Sequence, residues 1–157
     1  MPRFETQVLI NRPVFQVFRY VGDFNNDVHW RNVRNVGITS GDPIRTGSMV
    51  AMTRRIMGRN GFVNSDVTDY ERNRKIELKG SYWGFPFVST ITFDHRGQQT
   101  NVKETLDIRT RWFFWFGIYF NVTLKGVLNR EWAALKQILD GHGDRKSSTP
   151  QPIPQKE

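Results

Sequence analysis

The stretch LKGVLNREWAALKQIL at residues 124–139 decides the fold. At 100° per residue its apolar side chains fall on one broad arc, which predicts an amphipathic helix. Gly141 follows and is expected to end that helix. A face this wide cannot stay in water, so it must pack against a second layer. The residues that form the arc are Leu124, Val127, Leu128, Glu131, Trp132, Ala134, Leu135, Ile138 and Leu139.

The second layer is predicted from the residues that precede this helix. Apolar and polar residues alternate there with period two, which is typical of half-buried strands joined by short turns. Two short helices are expected after the first strand, the first ending at Gly22 and the second within 23–30. A hairpin turn is predicted at Asn60–Gly61. The segments read as strands are 3–10, 33–40, 49–57, 62–70, 75–83, 85–94 and 100–109.

Composition limits both organisation and chemistry. The chain has 157 residues and no Cys, and its 23 Lys and Arg against 15 Asp and Glu give a net charge of +8. The length suits one ligand-binding domain at 1–141, followed by a flexible polar tail at 142–157. A disulfide scaffold and a thiol nucleophile are excluded. The three histidines share no metal-ligand spacing, so no metal and no cofactor are predicted.

Charge and hydropathy also bear on partners and location. The basic residues are dispersed, and no nucleic-acid-binding signature is present, which argues against a nucleic acid partner. The start of the chain has no apolar segment of the signal-peptide type. The uncharged stretch 112–124 is shorter than the roughly 20 residues needed to span a bilayer. A cytoplasmic protein is therefore expected.

Three sequence features together resemble one superfamily. They are INRPVF at 10–15 followed by VGD at 21–23 and Trp30, VTDYE at 67–71, and the helical residues 128–139 after an aromatic-rich crossover. The chain resembles the START/Bet v 1-like (SRPBCC) superfamily over residues 3–140, within it the polyketide cyclase/dehydrase and lipid-transport group. The resemblance implies an α+β helix-grip fold, in which a curved seven-stranded antiparallel sheet wraps around the long C-terminal helix. It also implies a hydrophobic ligand between sheet and helix, and it does not choose between carrier and enzyme.

Two carboxylates fall on faces that are otherwise apolar. Glu104 alternates with Val102 and Leu106, and Glu131 lies within the helical arc. Burying a carboxylate is costly unless it is paired or protonated. Each can orient a ligand or act as a general acid or base, or it can form a salt bridge at the sheet edge. Catalytic residues are left unassigned.

Arg54 is the predicted cationic counterpart. Adjacent strand residues point to opposite faces, so Arg54 or Arg55 should face inward. An inward Arg54 can pair with Glu104 or Glu131, or it can bind an anionic ligand head. A frayed strand would instead leave both arginines in solvent.

The aromatic run WFFWFGIYF at 112–120 precedes the helix, with Arg109 and Arg111 before it. One loop cannot easily bury seven rings, so some should form an exposed patch. Three interpretations stay open: closure of the core, a ligand gate or peripheral membrane contact through residues 112–116 (Trp112 to Phe116), and a dimer contact. The protein is accordingly expected to be a monomer or a homodimer.

The sequence thus predicts binding, with transport as an extension, of a hydrophobic or amphipathic small molecule or lipid. The alternative is a polyketide cyclase/dehydrase-like enzyme that uses cavity carboxylates for acid–base chemistry. Beside the possible anion partner Arg54, the predicted ligand-binding residues are Leu78, Tyr82, Phe87, Ile91, Glu104, Leu106, Trp115, Leu128, Glu131, Trp132 and Leu135.

Overall fold

The computed structural model describes residues 3–39, 43–109 and 114–141, with the backbone alone for 114–118. The predicted tail at 142–157, Trp112 and the side chain of Trp115 lie outside the described residues. The elements are β1 (Arg3–Ile10), α1 (Val14–Gly22), a 3₁₀ turn (Phe24–Asn26), α2 (Asp27–Trp30), β2 (Val33–Ile38), β3 (Met49–Ile56), β4 (Arg59–Glu71), β5 (Lys75–Tyr82), β6 (Phe85–Arg96), β7 (Gln99–Ile108) and α3 (Phe114–Gly141).

The strands form one seven-stranded antiparallel sheet in the order β1-β7-β6-β5-β4-β3-β2. Strands β2 to β7 make a meander, and β1 returns to pair with β7, for example Phe4 with Leu106. The predicted α+β helix-grip fold is confirmed, because this curved sheet grips the long helix α3 on one face. Helix α3 lies against β1, and its apolar arc supplies much of the core. Its fully or nearly buried members include Leu124, Leu128, Trp132, Leu135 and Leu139.

The long helix begins earlier than its apolar period indicates. It starts at Phe114, so the interpretation of the aromatic run as a loop is wrong from that residue onward. Aromatic residues occupy most positions of 112–120, so the sequence lacks the one-sided periodicity by which a helix is recognised. Tyr119 is exposed and Phe120 is half-buried, so within the run the described side chains differ in burial. None of the helices in the described ranges has the length and apolar character needed to cross a membrane.

The predicted hairpin turn at Asn60–Gly61 is also wrong. Both residues lie within β4, and the chain reverses at Met57 and Gly58, where φ is 53° and 78°. Gly61 has a different purpose, because a Cβ atom there would overlap the ring of Tyr82 and come within 2.7 Å of Trp83 Nε1. Gly61 therefore makes room for two stacked rings on β5 and at the following turn.

The turn residue Met57 should be a source of strain. A side chain in the left-handed region costs about 1–2 kcal/mol, and Asn tolerates that region best after Gly. We expect Met57→Asn to raise the free energy of unfolding by about 0.5–1 kcal/mol, measured by urea denaturation. The same replacement at Met49, an exposed position within β3, should give no gain. Equal effects at the two positions would contradict this account of the turn.

Candidate functional site

A cavity of about 510 Å³ lies between the inner face of the sheet, α2 and the first half of α3. On the sheet side, the wall consists of inward-facing residues of β3 to β7 and of residues at the hairpin turns. Aromatic and aliphatic side chains dominate the surface. Its aromatic members are Phe24, Trp30, Tyr82, Trp83, Phe85, Phe87 and Phe120.

The structure places the predicted sheet residues on the cavity wall. They are Leu78, Tyr82, Phe87, Ile91, Glu104 and Leu106, and Arg54 lines the same space. Glu104 is only 4% exposed, so the strand register that turned it inward is correct. Arg54 points inward while Arg55 is exposed, as the alternation predicted.

The predicted helix residues lie elsewhere. Leu128, Glu131, Trp132 and Leu135 are buried in the core or in a polar cluster rather than on the cavity wall. The second half of α3 packs directly on the sheet and leaves no space there. The helix borders the cavity through residues nearer its start, Phe120, Asn121 and Leu124.

Arg31 forms the centre of a buried charge cluster at the closed end of the cavity. Its Nη2 lies 3.3 Å from both carboxylate oxygens of Glu104, and its Nη1 lies 3.4 Å from Glu131 Oε2. Its guanidinium carbon sits 4.2 Å from the ring centre of Trp30, a cation–π contact. Burial disfavours the charged form, but Glu104, Asp27 and Glu131 together raise the pKa of Arg31, which remains a cation.

Glu104 is fully hydrogen-bonded on the cavity side of β7. Ser89 Oγ donates to its Oε1 at 2.9 Å, and Trp132 Nε1 donates to its Oε2 at 2.5 Å. Burial raises its pKa, yet Arg31, these two donors and Arg54 outweigh burial and hold the pKa of Glu104 below its ordinary value. Glu104 is thus an ionised anchor, because its negative charge is satisfied from three sides.

Glu131 joins the long helix to the same cluster. Arg54 Nη2 donates to its Oε2 at 2.6 Å, and the backbone N–H of Asn32 donates to its Oε1 at 3.0 Å. Of the partners the sequence left open for Arg54, the structure shows Glu131. The central cation Arg31 was missed. The signal for it was present, since two inward carboxylates require more positive charge than Arg54 supplies.

Asp27 was also missed, and it is the least satisfied member of the cluster. Its side chain is buried, its Oδ2 lies 3.8 Å from Arg31 Nε, and its Oδ1 has no hydrogen-bond partner among the described residues. Burial raises the pKa of Asp27 to about 7, with Arg31 and Arg54 opposing and Glu131 and Glu104 reinforcing the rise. A carboxyl in this state exchanges its proton near neutral pH.

Other polar atoms behind the cavity surface lack partners in the part of the chain that the structure describes. They are Trp30 Nε1, Arg54 Nε, the Tyr82 hydroxyl and Asn121 Oδ1, and each belongs to a residue that lines the cavity. Buried polar groups are normally hydrogen-bonded. These four groups beside the cavity are exceptions to that rule. No cluster of metal-ligating side chains occurs in the described residues.

Comparison with known proteins agrees with this architecture. A sequence profile of the polyketide cyclase / dehydrase and lipid transport family matches residues 1–140. The chain belongs to this family. No curated protein sequence shows significant similarity to it.

Solved structures share the fold of this family member. Zhui aromatase/cyclase from Streptomyces sp. R1128 has a TM-score of 0.71 at 16% identity, over 92% of this chain and 94% of that one. A START superfamily protein from Mycobacterium smegmatis has a TM-score of 0.70 at 14% identity, over 92% and 99%. At such identities the likeness establishes the fold and leaves activity to the site itself.

Removal of the guanidinium of Arg31 should lower the free energy of unfolding strongly. Arg31→Ala leaves Glu104 and Asp27 with uncompensated buried charge, and we expect a loss of about 3–5 kcal/mol of unfolding free energy. Arg3→Ala is the matched control, because Arg3 pairs with Asp107 at 2.8 Å on the surface. That control should change stability little. Urea denaturation of both variants measures the difference, and equal losses would contradict a central role for Arg31.

Asp27 should make stability depend on pH in a definite direction. Its folded-state pKa of about 7 lies above the ordinary 3.8, so ionisation opposes folding progressively between these values and fully above them. Asp27→Asn removes this penalty. The variant should therefore gain stability over wild type as pH rises from about 4 to about 8, by at most about 4 kcal/mol.

Denaturation at a series of pH values tests this difference. Glu104 contributes the opposite dependence, because its lowered pKa stabilises the fold above its ordinary 4.5 and that stability is lost as pH falls. Glu104 is present in both proteins, so the comparison isolates Asp27 together with its coupling to Glu104. A difference between variant and wild type that stays flat across the range would show that Asp27 titrates normally.

Proposed function

We propose that this protein binds a hydrophobic or amphipathic small molecule in the cavity between sheet and helix. The observation that carries the proposal is an apolar, aromatic-lined space of about 510 Å³ that ends on a buried charge cluster. Ligand pockets typically measure about 300–1,000 Å³ and combine an apolar wall with a few polar groups. The apolar wall supplies affinity, and the polar end supplies orientation.

The mouth of the cavity suits uptake of an apolar molecule. Two hairpin tips reach it, and Met57 and Trp83 there are 41% and 46% exposed although both are large and apolar. Phe85 adds a second exposed ring. Exposed apolar side chains around an opening are characteristic of ligand entrances. A molecule leaving a lipid phase would meet these apolar side chains before it enters the cavity.

An acid–base enzyme of the cyclase/dehydrase type is the second candidate, and one observation favours it. Asp27 lines the cavity with a pKa raised to about 7 by burial, which is the range in which a general acid or base works best. Glu104 and Glu131, the carboxylates first considered for this chemistry, are tied to guanidinium groups. Of these three carboxylates, Asp27 is therefore the one assigned to proton transfer.

Filling the cavity tests the binding proposal. Leu106→Trp adds bulk on the wall, and we expect it to weaken binding of the neutral fluorescent probe N-phenyl-1-naphthylamine about tenfold or more. Leu9→Trp makes the same exchange at an exposed position on β1 and should leave probe binding unchanged. Fluorescence titration measures both.

A probe that binds all three proteins equally well would place binding outside the cavity and contradict the proposal. Native mass spectrometry of the purified protein complements the titration by detecting a co-purified molecule. Chemical conversion of that molecule on incubation, lost in Asp27→Asn, would favour the enzyme over the carrier.

A further inference from the structure

The charge cluster contains more carboxylates than cations. Asp27, Glu104 and Glu131 face Arg31 and Arg54, so the cluster carries one excess negative charge when all three acids are ionised. A network built only for stability would be expected to contain equal numbers of positive and negative charges. The excess lies at Asp27, beside the cavity.

The two guanidinium groups are already engaged. Arg31 directs its Nη1 and Nη2 to Glu131 and Glu104, and Arg54 directs its Nη2 to Glu131 at 2.6 Å. Arg59 also lines the cavity, but it is exposed to solvent at the mouth. Arg54 Nε has no partner among the described residues, but the charge of each guanidinium is already matched by a carboxylate. A ligand head that reaches the closed end therefore meets two ion-paired cations and one carboxyl, Asp27, that has an unpartnered oxygen.

Asp27 is surrounded by charged and titratable groups on every packed element. Tyr20 faces it from α1, Arg31 from its own helix, Arg54 from β3, Glu104 from β7 and Glu131 from α3. Only the two arginines attract its negative charge. The carboxyl therefore needs a hydrogen-bond donor that brings no further negative charge.

A neighbouring group offers the complementary contact. Trp30 lies one helical turn from Asp27, lines the same cavity, and its Nε1 has no acceptor among the described residues. A hydroxyl both donates and accepts, so it can donate to Asp27 and accept from Trp30 Nε1 after small rotations of these side chains. A carboxylate can only accept. It would add a second unpaired charge to a low-dielectric cavity.

We propose that the cavity selects amphipathic molecules whose polar end is an uncharged hydroxyl, held by Asp27, and discriminates against molecules that end in a carboxylate. This inference rests on the proposed binding function and specifies the head group that the site takes. The anionic ligand head considered for Arg54 in the sequence is replaced by a neutral one, because the charge of Arg54 is already matched by Glu131 although its Nε is unpartnered.

The test compares two competitors of equal chain length, 1-dodecanol and dodecanoate, for displacement of bound N-phenyl-1-naphthylamine. At about pH 8, where Asp27 is ionised, dodecanol should displace the probe at a concentration about tenfold or more below that of dodecanoate. Asp27→Asn should reduce this ratio to about threefold or less. Asp94→Asn, the same exchange at an exposed position on β6, should preserve it.

A pH series on the wild-type protein gives a second readout that needs no variant. Dodecanoate stays ionised from about pH 8 to about pH 6. Its binding should strengthen over that range as Asp27 takes up a proton, and it should strengthen far less in Asp27→Asn. Dodecanol binding should change less than dodecanoate binding.

The possible failures separate the two proposals. Dodecanoate that competes as well as dodecanol, or dodecanol that does not displace a bound probe, overturns the head-group inference and leaves the binding function intact. A ratio that survives in Asp27→Asn assigns selectivity to another group and also overturns it. A probe that does not bind the cavity at all overturns the proposed function itself.

Discussion

The buried guanidinium of Arg31 is the interaction on which the rest of the structure depends. Arg31 follows the short helix α2 directly, and its buried guanidinium contacts Glu104 on β7 and Glu131 on α3. A buried charge is tolerated only when its partners are held in place, so the pairing fixes three elements relative to one another. Arg54 extends the same network to β3 through Glu131. The network around Arg31 thereby connects β7, α3 and, through Arg54, strand β3.

This anchoring also determines where the cavity lies. Trp132 donates to Glu104 and its ring packs 4.8 Å from that of Trp30, so the second half of α3 is held against the closed end. The first half of α3 packs on the sheet through Leu124, which shares a second core cluster with Phe4 and Ile108, and it borders the cavity through Phe120, Asn121 and Leu124. On the sheet side, the cavity wall includes large rings, such as the Tyr82–Trp83 stack over Gly61. The resulting space is bounded by side chains that support one another.

The sequence was informative wherever an element was long enough to show its period. The strand alternation placed Glu104 and Arg54 on the inner face, and the helical arc identified the buried side of α3. Helix α2 has four residues, too few for any period, so Asp27 and Arg31 gave no local sign of burial. The turn predicted at Asn60–Gly61 was wrong because the glycine there accommodates the Tyr82 ring, which contacts it from a different strand. Pairings across 73 or 100 positions, such as Arg31 with Glu104 and Glu131, are set by the fold alone.

The excess negative charge of the cluster distinguishes a functional site from an ion-pair network that only stabilises the fold. A buried ion pair can often be replaced by well-packed apolar residues without loss of stability, so stability alone does not account for retaining five charged groups beside a cavity. The fifth group, Asp27, opposes folding when ionised, because burial raises its pKa to about 7. Groups that cost stability in this way are concentrated at functional sites, where a ligand or a reacting atom supplies the missing contact. Asp27 lines the cavity and has an unpartnered oxygen, so the molecule that we propose to bind there would supply that contact.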